Sequence, residues 1–321
     1  MEWSDNYLTV FTTTFQMPLF IVISGYLFSK STKRHTYSLI AKRKVKSILV
    51  PIIIWNSLFY MPISALSLWQ GWQTINEILL GYVPYILEGL WYLWAYLLIS
   101  LFMCLINSLL KNEIHRLLGY IVLIAVTHLG VGGCYHLDFM FPFFLIGYYY
   151  EKSAKRIPIK WKKVFATIAC LFFPVFLSMF RPEFSMYLLG NMFEITELNY
   201  YFWACIIRFF AGVTGCVFIS LTIYVLYKIS HNKTITTRFS CIGKMTMELY
   251  ILHTFLVSYL MRWIIDGVGI HGYFIEHSHL TNFLFAPIVV TFVIIICVGM
   301  IRIINKIPVL SGIVFGLKNK K

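Results

Sequence analysis

Six polar side chains fall inside long apolar stretches of the sequence: Gln16, Glu88, His128, Arg208, Glu248 and His253. Ionisable groups are costly in hydrocarbon, so each is a candidate for function. His253 and Glu248 are the candidates for proton transfer, histidine because it titrates near neutrality. Five positions apart, they are offset around a helix rather than stacked on one face. His253 also fits a packed, hydrogen-bonded core residue. Arg208 lies near the outer third of its stretch, where a long side chain snorkels to the interface or lines a polar cavity.

The densest run of candidates begins QMPLFIVISGYLFSKS and continues, after a short connection, as AKRKVKSILVPIIIW. Pro18 removes a backbone hydrogen bond from an apolar helix and should kink it. Ser24 and Gly25 follow two turns later and permit close approach of another backbone. Arg43 and Lys46, three apart, share a helix face. Such a pair suits phosphate groups at a membrane surface. The same charges also fit an ordinary topology-setting loop.

The elements that position these residues follow from composition. Of the 321 residues 59% are hydrophobic and 12% charged, about half the charged share of a soluble domain (~25%). A hydrocarbon core of ~30 Å needs ~20 apolar residues of helix. Apolar spans are expected at 8–28, 47–69, 90–110, 116–131, 134–150, 164–180, 204–227, 245–265 and 283–304. The fourth and fifth meet at a tight hairpin around Gly130, Gly132 and Gly133 and stand or fall together, as a re-entrant pair in the second case.

Basic residues collect in alternate connections: 29–46, 111–116, 151–163, 228–244 and the C-terminal tail. Of the 27 Lys and Arg, only Arg181, Arg208 and Arg262 fall elsewhere. The positive-inside rule places the rich side in the cytoplasm, with the N-terminus outside and the C-terminus inside. The expected fold is therefore all-α, a polytopic transmembrane bundle of about nine spans forming one domain over 1–321. The formal net charge of +14 belongs to these loops, and no basic-aromatic strip points to nucleic acid. Met1–Asn6 is polar and acidic, unlike a signal peptide. The seven cysteines include no CxxC pair and read as small hydrophobic residues. His271, His277 and His279 lack partners at fixed spacing, so no metal is expected.

Several segments, in order, resemble the membrane acyltransferase-3 family, which includes sugar O-acetyltransferases of bacterial cell envelopes. PLFIVISGYLF with the basic loop and KSILVPIIIW is similar to its opening element. GLWYLWAYLL resembles its Trp-aromatic-Leu segment, FPFFLIGYYYEK its Phe-rich helix, and IGKMTMELYILHTFL its late helix. The resemblance runs from about residue 16 to about 256. It implies transfer of an acetyl group from cytoplasmic acetyl-CoA to a hydroxyl of an envelope polysaccharide or its lipid-linked precursor. It also implies a multi-pass protein of the bacterial inner membrane, whose partners are membrane lipid and a sugar acceptor.

Residue by residue, the resemblance assigns CoA binding to Arg43 and Lys46 and packing around the acyl-carrier channel to Ser24, Gly25 and Tyr26. Trp91 matches the first Trp of the aromatic segment and, with Gln16 and Arg208, is a candidate for the substrate channel. His253 matches the histidine of the late helix. The family also has an earlier helix bearing a basic residue and a histidine expected to act in acyl transfer. This chain opens at the family's second helix, so a truncated, inactive form is one expectation. Acyl transfer needs a base for the acceptor hydroxyl and donors for the tetrahedral oxyanion. A membrane glycan polymerase or a polysaccharide flippase is the rival, although the inverted repeats of transporters are not evident.

Overall fold

A computed structural model describes residues 7–128, 136–181, 184, 198–229, 233–257 and 281–316. All regular structure among them is helical. In chain order the helices are α1 (Tyr7–Thr32), α2 (Tyr37–Lys44), a π-helical turn (Val45–Leu49), α3 (Val50–Trp69), α4 (Ile75–Glu88), α5 (Trp91–Leu109), α6 (Glu113–His128) and α7 (Leu137–Ser153). They continue as α8 (Ile159–Met179), α9 (Leu198–Ile229), α10 (Lys233–Lys244), α11 (Thr246–Phe255), a second π turn (Thr281–Phe285), α12 (Ala286–Asn305) and α13 (Pro308–Val314).

Six of the expected spans are helices long and apolar enough to cross a membrane: Val10–Thr32, Tyr37–Trp69, Trp91–Leu109, Ile159–Met179, Tyr200–Ile229 and Phe283–Asn305. Their exposed faces carry large apolar side chains, such as Phe165, Ile168 and Leu171 on α8, as lipid contact requires. The fourth and fifth spans are the shorter helices α6 and α7, of 16 and 17 residues. The hairpin glycines between them, the second half of the eighth span, and His271, His277 and His279 lie outside the described residues.

The chain forms two compact units. The first comprises Met1–Ala41 and Leu98–His231, the second Lys42–Leu97 and Asn232–Lys321. In the first unit α1 packs along α7, and α9 packs against both α1 and α8. α1 is continuous through Pro18. The α1–α7 seam is tight because Gly25 and Gly147 lack side chains: a Cβ on Gly25 would lie 2.0 Å from the Phe144 carbonyl oxygen, and one on Gly147 1.9 Å from that of Val22. Aromatic edges fill the rest, with the Phe28 and Phe144 rings 5.5 Å apart.

In the second unit, residues 70–89, read from the sequence as a connection, contain α4. A capping box builds it: Thr74 accepts from the Glu77 backbone N–H, and the Glu77 carboxylate accepts from the Thr74 N–H at 2.7 Å. Its 14 residues reach ~21 Å, too short to cross a bilayer. Glu88 is exposed at its C-terminus, so it does not sit inside a span. α3 is held by an aromatic stack in which Phe59 and Phe255 rings lie 4.1 Å apart and parallel, with Trp55 beside Phe255 and Phe315.

Candidate functional site

The basic segment begins in the last turn of α2 and runs into the first π turn. π turns inside α-helices are rare and cluster at functional sites. Four cations lie here, Lys42, Arg43, Lys44 and Lys46, and their environments differ. The Lys44 ammonium donates to the Tyr96 hydroxyl and lies 4.2 Å from the centroid of the Tyr96 ring, so α5 holds it. Arg43 and Lys46 are exposed. The turn is anchored from the C-terminal side: Gly316, at φ +78°, brings its backbone so near Ser47 that a Cβ would lie 2.7 Å from the Ser47 Cα. Only a residue at ease in the left-handed region fits that approach.

Further along this unit, two of the motifs meet. Trp91 opens α5 and packs edge-on to Tyr92. Tyr92 lies 5.4 Å, ring to ring, from Tyr250 of α11, whose own ring is 5.6 Å from His253. The Trp-aromatic segment and the late helix are thus joined through two tyrosines. His253 is exposed, not packed in the core, and its Nδ1 is 2.8 Å from the Leu249 carbonyl. A carbonyl only accepts, so Nδ1 carries the proton and the neutral ring keeps its lone pair on Nε2. Glu248 is buried at 5% exposure, and the two side chains differ in environment as their offset predicts.

Ser24, Gly25, Tyr26, Gln16 and Arg208 belong to the first unit. Gly25 is buried in the α1–α7 seam, and Tyr26 lies beside Tyr150 with the Lys30 ammonium over its ring. Ser24 is half-buried, and Gln16 is exposed on α1. Arg208 does not snorkel: it is 6% exposed, with its guanidinium 4.2 Å over the Phe139 ring. Nearby, His128 Nδ1 meets Asp138 Oδ2 at 3.0 Å. Asp138 is a further candidate, legible as a carboxylate at the start of an otherwise apolar span. Its pairing across the hairpin is not.

The charged end of α7 staples the first unit. Glu151 accepts from Ser29 at 3.0 Å and from Lys33 at 2.8 Å. Lys152 donates to Glu113 at 3.0 Å, and Arg116 donates to the same carboxylate at 3.2 Å. The Lys152 hydrogen bond holds the Glu113 carboxyl below its usual range, and that of Lys33 does the same for Glu151. The conspicuous tail of FPFFLIGYYYEK therefore ties α7 to α1 and α6. Among the described residues, no three His, Cys, Asp or Glu side chains converge as metal ligands.

Comparison with known proteins places these motifs in context. The acyltransferase domain model (Acyl_transf_3) matches residues 1–302. Nodulation protein NolL of Mesorhizobium japonicum is 22% identical over 148 residues, 46% of this chain and 38% of the relative. Nodulation protein NolL of Sinorhizobium fredii is 27% identical over 146 residues, 44% of this chain and 38% of the relative. The chain thus aligns with under two-fifths of the length of these curated relatives. No solved structure matches. With the family model covering all but the last residues, and the described helices carrying its motifs in order, the chain belongs to the acyltransferase-3 family of membrane proteins.

Proposed function

We propose that this protein transfers an acetyl group from acetyl-CoA to a hydroxyl of a cell-envelope polysaccharide or its lipid-linked precursor, in the bacterial inner membrane. The family supports acyl transfer. The observation that carries the donor is the exposed pair Arg43 and Lys46 at the first π turn, beside a Lys44 already engaged by Tyr96. Two exposed cations three residues apart fit a donor that carries several phosphates. The basic connections support a cytoplasmic position for that turn, the side on which acetyl-CoA is found.

The reaction has a simple balance. The acceptor hydroxyl oxygen attacks the thioester carbonyl while a base takes its proton. The new C–O bond forms, the C–S bond breaks, and the CoA thiolate leaves and recovers the proton. On α11, His253 keeps a lone pair on Nε2 and is the candidate base, with Glu248 the alternative. Ser24, Gly25 and Tyr26 are the candidates for the wall of the acyl path.

The test is calorimetry of acetyl-CoA with the purified protein in detergent. Arg43→Gln with Lys46→Gln should weaken binding about tenfold or more, since charge-assisted contacts to phosphate are strong. Unchanged binding would reduce the basic segment to a topology signal.

A further inference from the structure

A second polar cluster lies in the first unit. It consists of His128 at the end of α6, Asp138 in the first turn of α7, and Tyr201, Cys205 and Arg208 on α9. Tyr201, Cys205 and Arg208 follow one another at helical spacing on α9, and Arg208 lies over the ring of Phe139, the residue after Asp138. The His128 and Tyr201 rings lie 5.5 Å apart. We propose that this cluster binds a neutral, hydroxyl-bearing ligand, a sugar ring, through Arg208 and the His128–Asp138 pair.

Arg208 supplies a donor in need of an acceptor. Its guanidinium is almost wholly buried, and among the described residues its Nε–H has no hydrogen-bond partner and it forms no salt bridge. A buried donor left unmatched is costly, so an oxygen placed there is favoured. His128 supplies the complement. The ionised Asp138 carboxylate only accepts, so His128 Nδ1 carries the proton and Nε2 of the neutral ring offers a lone pair. The His128 side chain keeps 32% of its surface exposed. One unmatched donor and one free acceptor suit hydroxyl groups, which serve as both.

Charge selects among hydroxyl ligands. The Arg208 cation and the Asp138 anion cancel, so a carboxylate or phosphate would meet Asp138 without a net cation to balance it. Tyr201 and Phe139 add apolar ring surface around the polar groups, the usual composition of a small-molecule site. On the acyl-transfer reading, on which this role rests, the ligand is the acceptor. α9 enters the cluster from the basic-poor side, the side on which an envelope glycan is met.

Saturation-transfer NMR on the full chain in lipid nanodiscs tests the site, with methyl glucoside as the neutral probe and methyl glucuronide as the anionic one. The neutral probe should bind at pH 8. Arg208→Met and His128→Phe should each weaken it roughly tenfold, and Arg208→Lys, which keeps the charge but loses the planar fork, serves if Arg208→Met fails to fold. Neutral binding unaltered by all three variants, or a preference for glucuronide at pH 8, overturns the proposal. Acetyl-CoA calorimetry on the same samples separates the two ideas: sugar binding without donor binding sinks acyl transfer and leaves this site standing.

Discussion

Gly25 and Gly147 each sit against the other helix's backbone, Gly25 against the Phe144 carbonyl and Gly147 against that of Val22. The contact is reciprocal, so a clash at either glycine pushes the same two helices apart. Gly25→Ala and Gly147→Ala should each lower thermal stability in detergent by about 1–3 kcal/mol, the usual cost of overpacking. Because one separation of α1 from α7 relieves both clashes, the double variant should lose less than the sum. Full additivity would show that the two glycines act independently.

The Trp55 indole donates to the Val314 carbonyl at 2.9 Å and stacks on Phe255 and Phe315. Removing residues 308–316 should strip that acceptor and one ring from Trp55. Fluorescence difference spectra of this deletion in wild-type and Trp55→Phe backgrounds should show a red shift that depends on Trp55. An identical spectrum would mean that the C-terminal helix does not cover this indole.

Glu113 lies between Lys152 and Arg116 and its carboxyl is held below the ordinary range, first by the Lys152 hydrogen bond. A carboxylate with a depressed folded-state pKa stabilises the fold above its unfolded pKa, and the contribution disappears as pH falls through the folded value. Lys152→Met should therefore cost stability at pH 7, at most about 1 kcal/mol because the pair is exposed. The two proteins should converge below about pH 4. A gap in melting temperature that persists there would assign the loss to packing of the Lys152 stem against Tyr148.

The alternation of basic connections predicts orientation. Reporter fusions should place 29–46, 151–163 and 228–244 in the cytoplasm, and 70–89 and 181–203 outside. A cytoplasmic result for 70–89, which contains α4, would reverse the whole arrangement.

The long helices were legible because lipid demands a run of apolar residues closed by its own hydrogen bonds. α4 was not, since its 14 residues carry an apolar pattern too short to separate from a loop by hydropathy, and its start is set by the local Thr74–Glu77 box. Gly25 was legible as a point of close approach, but its counterpart, Gly147, is found only by pairing the helices. Asp138 was visible as a charge, whereas its bond to His128 depends on how a hairpin closes.

By itself the sequence determined the helical class, the apolar spans, the family, and the basic segment holding Arg43 and Lys46. These follow from composition and short-range spacing, which every helix expresses without reference to its neighbours. Tertiary structure alone decided that Arg208 is buried over Phe139 rather than snorkelling, that Lys44 goes to Tyr96, and that Tyr92 meets Tyr250. An apolar helix can rotate about its axis at almost no change in hydropathy. Which face turns inward is set by packing partners far away in the chain, and that rotation determines which polar side chains are free to bind.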